Sequence, residues 1–314
     1  MFKVLLRPFI QANNFKKIEQ QAKDGDSFGQ LKLAQMYHFG TYVDQNFREA
    51  SYWYKLAAAQ GESEAQSALG EMYEYGQGVV QDYRHAYEWY EKSALKGNAY
   101  AQNSLGWLRE HGFGTDMSYV KAYEWYEKAA LQSLAEAQYN LGKLYYRGLG
   151  TAQSYVSALR WFESAAQQEY LPAYVSAGML YANGLGCSKD AKKAKSLFEK
   201  GAFGGMRDAQ VYLANLYEEE NQSSKALEWY SAAAKQGEVS ALTKLGIKYL
   251  FGQGVQRNEQ IAYCLLELAS DGINDEADDV RAVVTKMLSP DKMVQAKELL
   301  KNPQELWGMI DTKI

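Results

Sequence analysis

Apolar and polar positions follow a helical rhythm along this chain, and the rhythm is broken and restarted at regular intervals. In residues 63–97, Ala65, Leu69, Met72 and Tyr73 recur at helical spacing, and after a glycine-containing break so do Ala86, Trp89, Tyr90 and Ala94. The stretch predicts helix A, a turn and helix B. The same pair returns 36 residues on, again and again. One column reads Ala34, Gly70, Gly106, Gly142, Gly178, another Tyr37, Tyr73, Arg109, Tyr145, Tyr181, and a third Trp53, Trp89, Trp125, Trp161, Leu197. After one shorter interval of 32 residues, from Ala214 to Gly246, the 36-residue period resumes, and seven copies are visible.

Start and stop signals agree with the periodicity. Asn46, Asp82, Ser118, Ser154, Asp190 and Asn258 share a column, and all are residue types whose side chains accept from the first unpaired N–H groups of a helix. They predict the N-caps of the B helices. Gly61, Gly97, Gly205 and Gly237 follow the B helices as stops, whereas copies three and four carry Ser133 and Glu169 there. A glycine pair, Gly76-x-Gly78, recurs as Gly112-x-Gly114, Gly148-x-Gly150, Gly184-x-Gly186 and Gly252-x-Gly254. A phosphate loop sits once, between a strand and a helix, with further glycines or a Lys-Ser/Thr pair. Repetition between helices marks this pair as a turn.

One helix pair cannot bury its apolar face alone, so the copies are expected to stack and share a core. The small residues at Gly70, Gly106, Gly142 and Gly178 are expected to let the Trp and Tyr of a B helix approach helix A closely. Trp89 is accordingly read as a fully buried core residue, costing about 3–5 kcal/mol if truncated. The domain expectation is an N-terminal capping half repeat over residues 1–25, seven repeats over 26–273 and C-terminal capping helices over 274–314. The half repeat is read from Asn13 to Gly25, with Ala22 and Gly25 in register with Ala58 and Gly61. Ser289-Pro290 supplies an N-cap and first-turn proline for a late helix, and Glu305-Leu306-Trp307 is expected to fold back over apolar surface.

Composition narrows the function classes. The chain has 314 residues, 25 Tyr, 7 Trp, 4 Pro and a net charge of -4, with Lys and Arg scattered among acids. No basic stripe offers itself to nucleic acid. No apolar run is long enough to span a membrane. The opening MFKVLLRPFI is too short in apolar residues for a signal peptide, so a cytoplasmic location is expected, with export of a trimmed precursor left open. Cys187 and Cys264 have neither metal-ligand nor evident disulfide spacing.

The segments ALGEMYEYGQGVVQDYRHAYEWYEKSALKG, SLGWLREHGFGTDMSYVKAYEWYEKAALQS and NLGKLYYRGLGTAQSYVSALRWFESAAQQE resemble the Sel-1-like repeat family, relatives of the tetratricopeptide repeat. The resemblance covers about residues 26–273. It implies an all-α fold, a right-handed α/α superhelical solenoid of helix-turn-helix repeats whose A helices line a concave surface. It also implies a non-catalytic adaptor or scaffold binding other proteins, with the immunity partner of a secreted bacterial toxin as an alternative. The family pattern supplies no catalytic residue. Some secreted relatives carry paired cysteines in each repeat, which this chain lacks.

The residues offer little independent chemistry. His38, His85 and His111 lie in different copies without cysteine partners, and no G-x-S-x-G elbow is present. A hydrolase hidden in the groove is the weaker reading, and no cofactor or metal is expected. Projected onto the A helices by analogy with tetratricopeptide repeats, Tyr75, Tyr100, Trp107, Tyr139 and Tyr146 form an aromatic band, with His111 and Arg147 as polar contacts. Trp107 breaks a column that otherwise reads Gln35, Glu71, Lys143, Met179, Asn215 and Ile247. Tyr, Trp and Arg supply binding hot spots, so this band is expected to take a partner protein or peptide. Packing between neighbouring helices is the competing role for these aromatics. Homodimerisation through the groove or the terminal helices is left open.

Overall fold

A computed structural model describes residues 15–270 and 275–311. Every regular element among them is helical. They fall into two compact units, divided between Gln168 and Glu169. The first ten residues, MFKVLLRPFI, lie outside the described residues, as do Asn13 of the expected half repeat, residues 271–274 and the last three positions.

The first unit holds α1 (15–23), α2 (Ser27–Phe39), α3 (Phe47–Ala59), α4 (Ser63–Tyr75), α5 (Tyr83–Ala94), α6 (Ala99–His111), α7 (Tyr119–Leu131), α8 (Ala135–Arg147) and α9 (Tyr155–Gln167). The second holds α10 (Leu171–Asn183), α11 (Ala191–Phe203), α12 (Arg207–Glu219), α13 (Ser223–Lys235), α14 (Val239–Phe251), α15 (Glu259–Ala269), α16 (Asp275–Met287), α17 (Pro290–Lys301) and α18 (Pro303–Asp311). From α2 to α15, even-numbered helices are A helices and odd-numbered ones B helices. Each A helix packs most closely on its own B helix, and that B helix packs on the next A helix of its unit, the arrangement of an α-solenoid.

Local chemistry accounts for the ends. The side chains of Asn46, Asp82, Ser118, Ser154, Asp190 and Asn258 each accept a backbone N–H of the B helix they precede, as expected. Each also donates its own N–H back to the last turns of helix A, as Asp82 does to the Tyr73 carbonyl at 2.9 Å. The glycine pair has two separate duties. Gly76 ends α4 in the left-handed region at φ 69° and donates to the Met72 carbonyl. Gly78, also left-handed, passes against the preceding repeat: a Cβ there would stand 2.2 Å from the Phe47 carbonyl oxygen at the start of α3. Gly114 over Tyr83 and Gly150 over Tyr119 repeat this contact.

The core is built from alanines, leucines and one large B-helix ring per repeat. That ring is Tyr54, Tyr90, Tyr126, Phe162 and Phe198, all buried. In the second to fifth repeats it lies over the helix A glycine so closely that a Cβ on Gly70 would meet Tyr90 Cδ1 at 2.5 Å. The expectation of fully buried tryptophans is corrected here. Trp53, Trp89, Trp125 and Trp161 are only half-buried. They follow the helix by one residue before the core ring, which turns them about 100° off the core axis. They pack partly buried against the hydrophobic clusters, and Lys92 and Lys128 cover two of them at 4.0 and 4.2 Å.

A glutamine column fastens one repeat to the next. Gln30, Gln66, Gln102, Gln138 and Gln210 are buried, and each donates from Nε2 to a carbonyl near the end of the preceding B helix, namely Ala22, Ala58, Ala94, Ala130 and Ala202. At four of the five, a second glutamine donates to the Oε1: Gln60, Gln132, Gln168 and Gln236. These bonds satisfy polar atoms that burial would otherwise leave costly.

In the second unit the connection from α12 to α13 is shorter. Asn221 takes φ 59° in place of a glycine, Glu220 pairs with Lys195 at 2.6 Å, and Glu218 pairs with Lys248. Ser289 caps α17, with Pro290 in its first turn, as expected. Leu306 and Ile310 of α18 are buried in the cluster of α13–α15, and Asp311 meets Lys235 at 2.7 Å. In copy seven Leu250 is buried whereas Phe251 is exposed.

Candidate functional site

Within the first unit, the A helices α2, α4, α6 and α8 line a cleft of about 550 Å³. Helix α2 contributes Gln35, His38 and Phe39, α4 contributes Glu64, Glu71, Glu74 and Tyr75, α6 contributes Tyr100, Asn103 and Trp107, and α8 contributes Glu136. Tyr54 and Tyr90 reach it from the B helices behind. The placement follows from the repeat: residues three and four apart on successive A helices share one face and form continuous rows.

Of the seven residues singled out from sequence, Tyr75, Tyr100 and Trp107 lie together on this cleft. Tyr75 and Tyr100 are 63% and 67% exposed, and Trp107 is half-buried, its inner edge resting on the core clusters of α5–α8. His111 stands beside them at the end of α6: its ring is 4.6 Å from Trp107, and Nδ1 lies 2.9 Å from the Trp107 carbonyl, which accepts when that nitrogen carries the proton. Phe113 completes the cluster at 5.2 Å from Trp107. Tyr139, Tyr146 and Arg147 belong to α8 outside the lining. Tyr139 packs on Phe162 at 5.5 Å with Lys143 over its ring, Tyr146 packs edge-on to Tyr155, and Arg147 is exposed.

Behind the aromatic face stands a row of fixed pairs. Tyr90 donates to Glu74 at 2.7 Å and Tyr126 to Glu110 at 2.8 Å. All four side chains are buried. Burial holds the Glu74 carboxyl above its ordinary value, against the pull of the Tyr90 and Tyr75 hydroxyls. Desolvation and then the adjacent Glu74 carboxylate push the Tyr75 hydroxyl up to about 12. In the first repeat His38 occupies the Glu74 register. It is buried among Phe39, Phe47 and Tyr54. Burial holds its imidazole below the ordinary value, opposed by the Glu71 carboxylate.

Two features escaped the sequence reading. Glu64, Glu71, Glu74 and Glu136 share the inward face with the aromatic residues and give the cleft a joint negative charge. The tyrosine–carboxylate pairing was also visible as a correlation between columns. Glu74, Glu110 and Glu218 accept from Tyr90, Tyr126 and Tyr230, while the copies with Phe162 and Phe198 in the tyrosine column carry Tyr146 and Ala182 in the carboxylate column.

Among the described residues no group of three or more His, Cys, Asp or Glu is placed to hold a metal, and no helix is long and apolar enough to cross a membrane. Cys187 is half-buried and Cys264 buried, and neither is in a disulfide.

The pattern described as the Sel1 repeat matches residues 27–62, 63–98, 99–134, 135–170, 172–202, 207–238 and 239–273. Among solved structures, the chain is similar to a Sel1 repeat protein from Oxalobacter formigenes. The two are 33% identical over 76% of this chain and 94% of that one, with a TM-score of 0.69. It is also similar to a protective antigen of uropathogenic Escherichia coli strains that displays an SLR fold. That pair is 26% identical over 95% of this chain and 81% of the other, with a TM-score of 0.63. No curated protein matches.

Proposed function

Since the chain belongs to the Sel1 repeat family, we propose that it is a non-catalytic scaffold that binds a partner protein or peptide in the A-helix cleft of its first unit. Sel1 repeat proteins are generally protein-interaction scaffolds. The observation that carries the proposal is the convergence of Tyr75, Tyr100 and Trp107, from two successive A helices, on one open cleft. Large amphipathic rings of this kind bury much area with few rotors and concentrate binding energy. The non-catalytic part is supported by the tyrosine–carboxylate pairs, which return at one register in the second, third and sixth copies as structural fastenings do.

The test uses the purified chain as bait in extract of its native cells, with Trp107→Ala and Tyr100→Ala as site variants and Phe203→Ala, an exposed residue of the second unit, as control. A partner held by wild type and the control but lost by both folded site variants is the expected result. Equal capture by all four proteins places the binding face elsewhere.

A further inference from the structure

The cleft is one-sided in charge. Four carboxylates, Glu64, Glu71, Glu74 and Glu136, line it, and no Lys or Arg does. Among the described residues none of the four makes an ion pair. Elsewhere in the chain cations meet such groups: Lys248 reaches Glu218, Lys195 reaches Glu220 and Arg281 reaches Glu267. The aromatic rings show the same contrast. Lys92 and Lys128 sit over Trp89 and Trp125, whereas among the described residues no Lys or Arg sits over Trp107, whose ring neighbours are His111 and Phe113.

A second, independent observation concerns His38. It lines the same cleft and is 8% exposed, and its Nδ1 is buried without a hydrogen-bond partner. A buried polar atom left unpaired costs about 1–3 kcal/mol, and here it belongs to a side chain that lines the cleft, so a polar ligand group that reached it would offset that cost.

We propose that the cleft receives an arginine or lysine side chain from an extended basic segment of the partner protein, an inference that rests on the cleft being the binding face. The cationic head would meet the carboxylates of Glu71, Glu74 and Glu136, and the aliphatic stem would lie along Tyr75, Tyr100 and Trp107. The ring face of Trp107 attracts a cation, and a planar guanidinium both stacks there and donates in pairs to carboxylates. An exposed ion pair contributes little by itself. Three aromatic rings, one of them half-buried, and several carboxylates around one head make the interaction stronger than any single pair. A cleft of about 550 Å³ suits one or two long side chains rather than a folded domain.

The test is selection of a random dodecapeptide library displayed on phage against the full chain, followed by calorimetric titration of the enriched peptides. Wild type, Glu71→Gln/Glu136→Gln and Trp107→Ala are compared, with helicity checked by circular dichroism. The two glutamates are exposed, so the double variant should fold. Enriched peptides are expected to carry Arg or Lys beside an apolar residue. Their affinity should fall about tenfold in the double variant, and about as much when the Arg is replaced by citrulline. Peptides without Arg or Lys whose binding still requires Trp107 would overturn the basic anchor and leave the cleft as the binding face. Enrichment that ignores both Trp107 and the glutamates, or no enrichment at all, would overturn both readings.

Discussion

Lys96 stands where four other copies of the repeat place a glutamine, and the difference leaves a mark within its own repeat. Gln60, Gln132, Gln168 and Gln236 each donate to the Oε1 of a buried glutamine. The equivalent partner of Gln66 is Lys96, which reaches past it to the Gly61 carbonyl at 2.6 Å. Gln66 Oε1 is left buried with no partner. Gln60 shows that a glutamine can bond both groups, since it also donates to the Gly25 carbonyl. Lys96→Gln should therefore raise stability by about 1 kcal/mol, read as a higher urea midpoint with unchanged slope. At the same scale, two glutamates in one column should titrate in opposite senses. Glu74 has a raised pKa from burial. Its folded form loses stability as pH climbs from the ordinary carboxylate value through the raised one. Glu218 is also pushed up by burial, but the Lys248 ammonium and Tyr230 hydroxyl outweigh this and hold it low. Its contribution is present above the ordinary value and is lost as pH falls through the depressed one. Relative to wild type, Glu74→Gln should gain stability as pH rises above about 4, and the deficit of Glu218→Gln should shrink as pH is lowered below about 4. Paired urea melts across that range check both signs.

At the scale of the element, each turn is a joint with two constraints, one conformational and one steric, and substitutions should separate them. Gly97 ends the second repeat at φ 91° with nothing within 4 Å of its Cβ position. Gly114 is left-handed too, but a Cβ there would stand 2.2 Å from the Tyr83 carbonyl oxygen. Gly97→Ala should cost about 1 kcal/mol, the backbone penalty alone. Gly114→Ala should cost at least about 2 kcal/mol more, because a carbonyl at the head of α5 must move. Chemical denaturation of the two variants side by side measures the difference. The helices, caps and turns were legible in the sequence because they depend on residues a few positions apart: Asp82 needs only the N–H groups of Arg84 and His85 to act as a cap. The choice between Trp89 and Tyr90 as core ring was not. Both are apolar neighbours on one helix, and which of them faces Gly70 is set by the angle at which α5 meets α4. The stops at Ser133 and Glu169 were equally hidden. Both residues adopt left-handed conformations, φ 64° and 61°, that their side chains disfavour, so only the surrounding turn geometry explains them. For the site, the aromatic residues of α4 and α6 could be read inward from helical phase. The packing of Tyr139 on Phe162 and of Tyr146 on Tyr155 could not, because it involves the B helix behind α8.

At the scale of the whole molecule, each unit is held by contacts between adjacent helix pairs, and its stability is close to a sum of pairs and the joints between them. The joints of the first unit are nearly identical. Gly114 meets Tyr83 as Gly150 meets Tyr119, and Gln102 meets Ala94 as Gln138 meets Ala130. Excising residues 99–134 would bring Ala135 to the place of Ala99, set Gly150 over Tyr83 and aim Gln138 at Ala94. The shortened chain should keep its helicity per residue and melt cooperatively by circular dichroism, though without Trp107. A left-handed glycine placed against its neighbour's carbonyl thus makes copies of the repeat exchangeable. A gene encoding such an array can recombine between its own copies, losing or duplicating one in frame, and still specify a chain that folds.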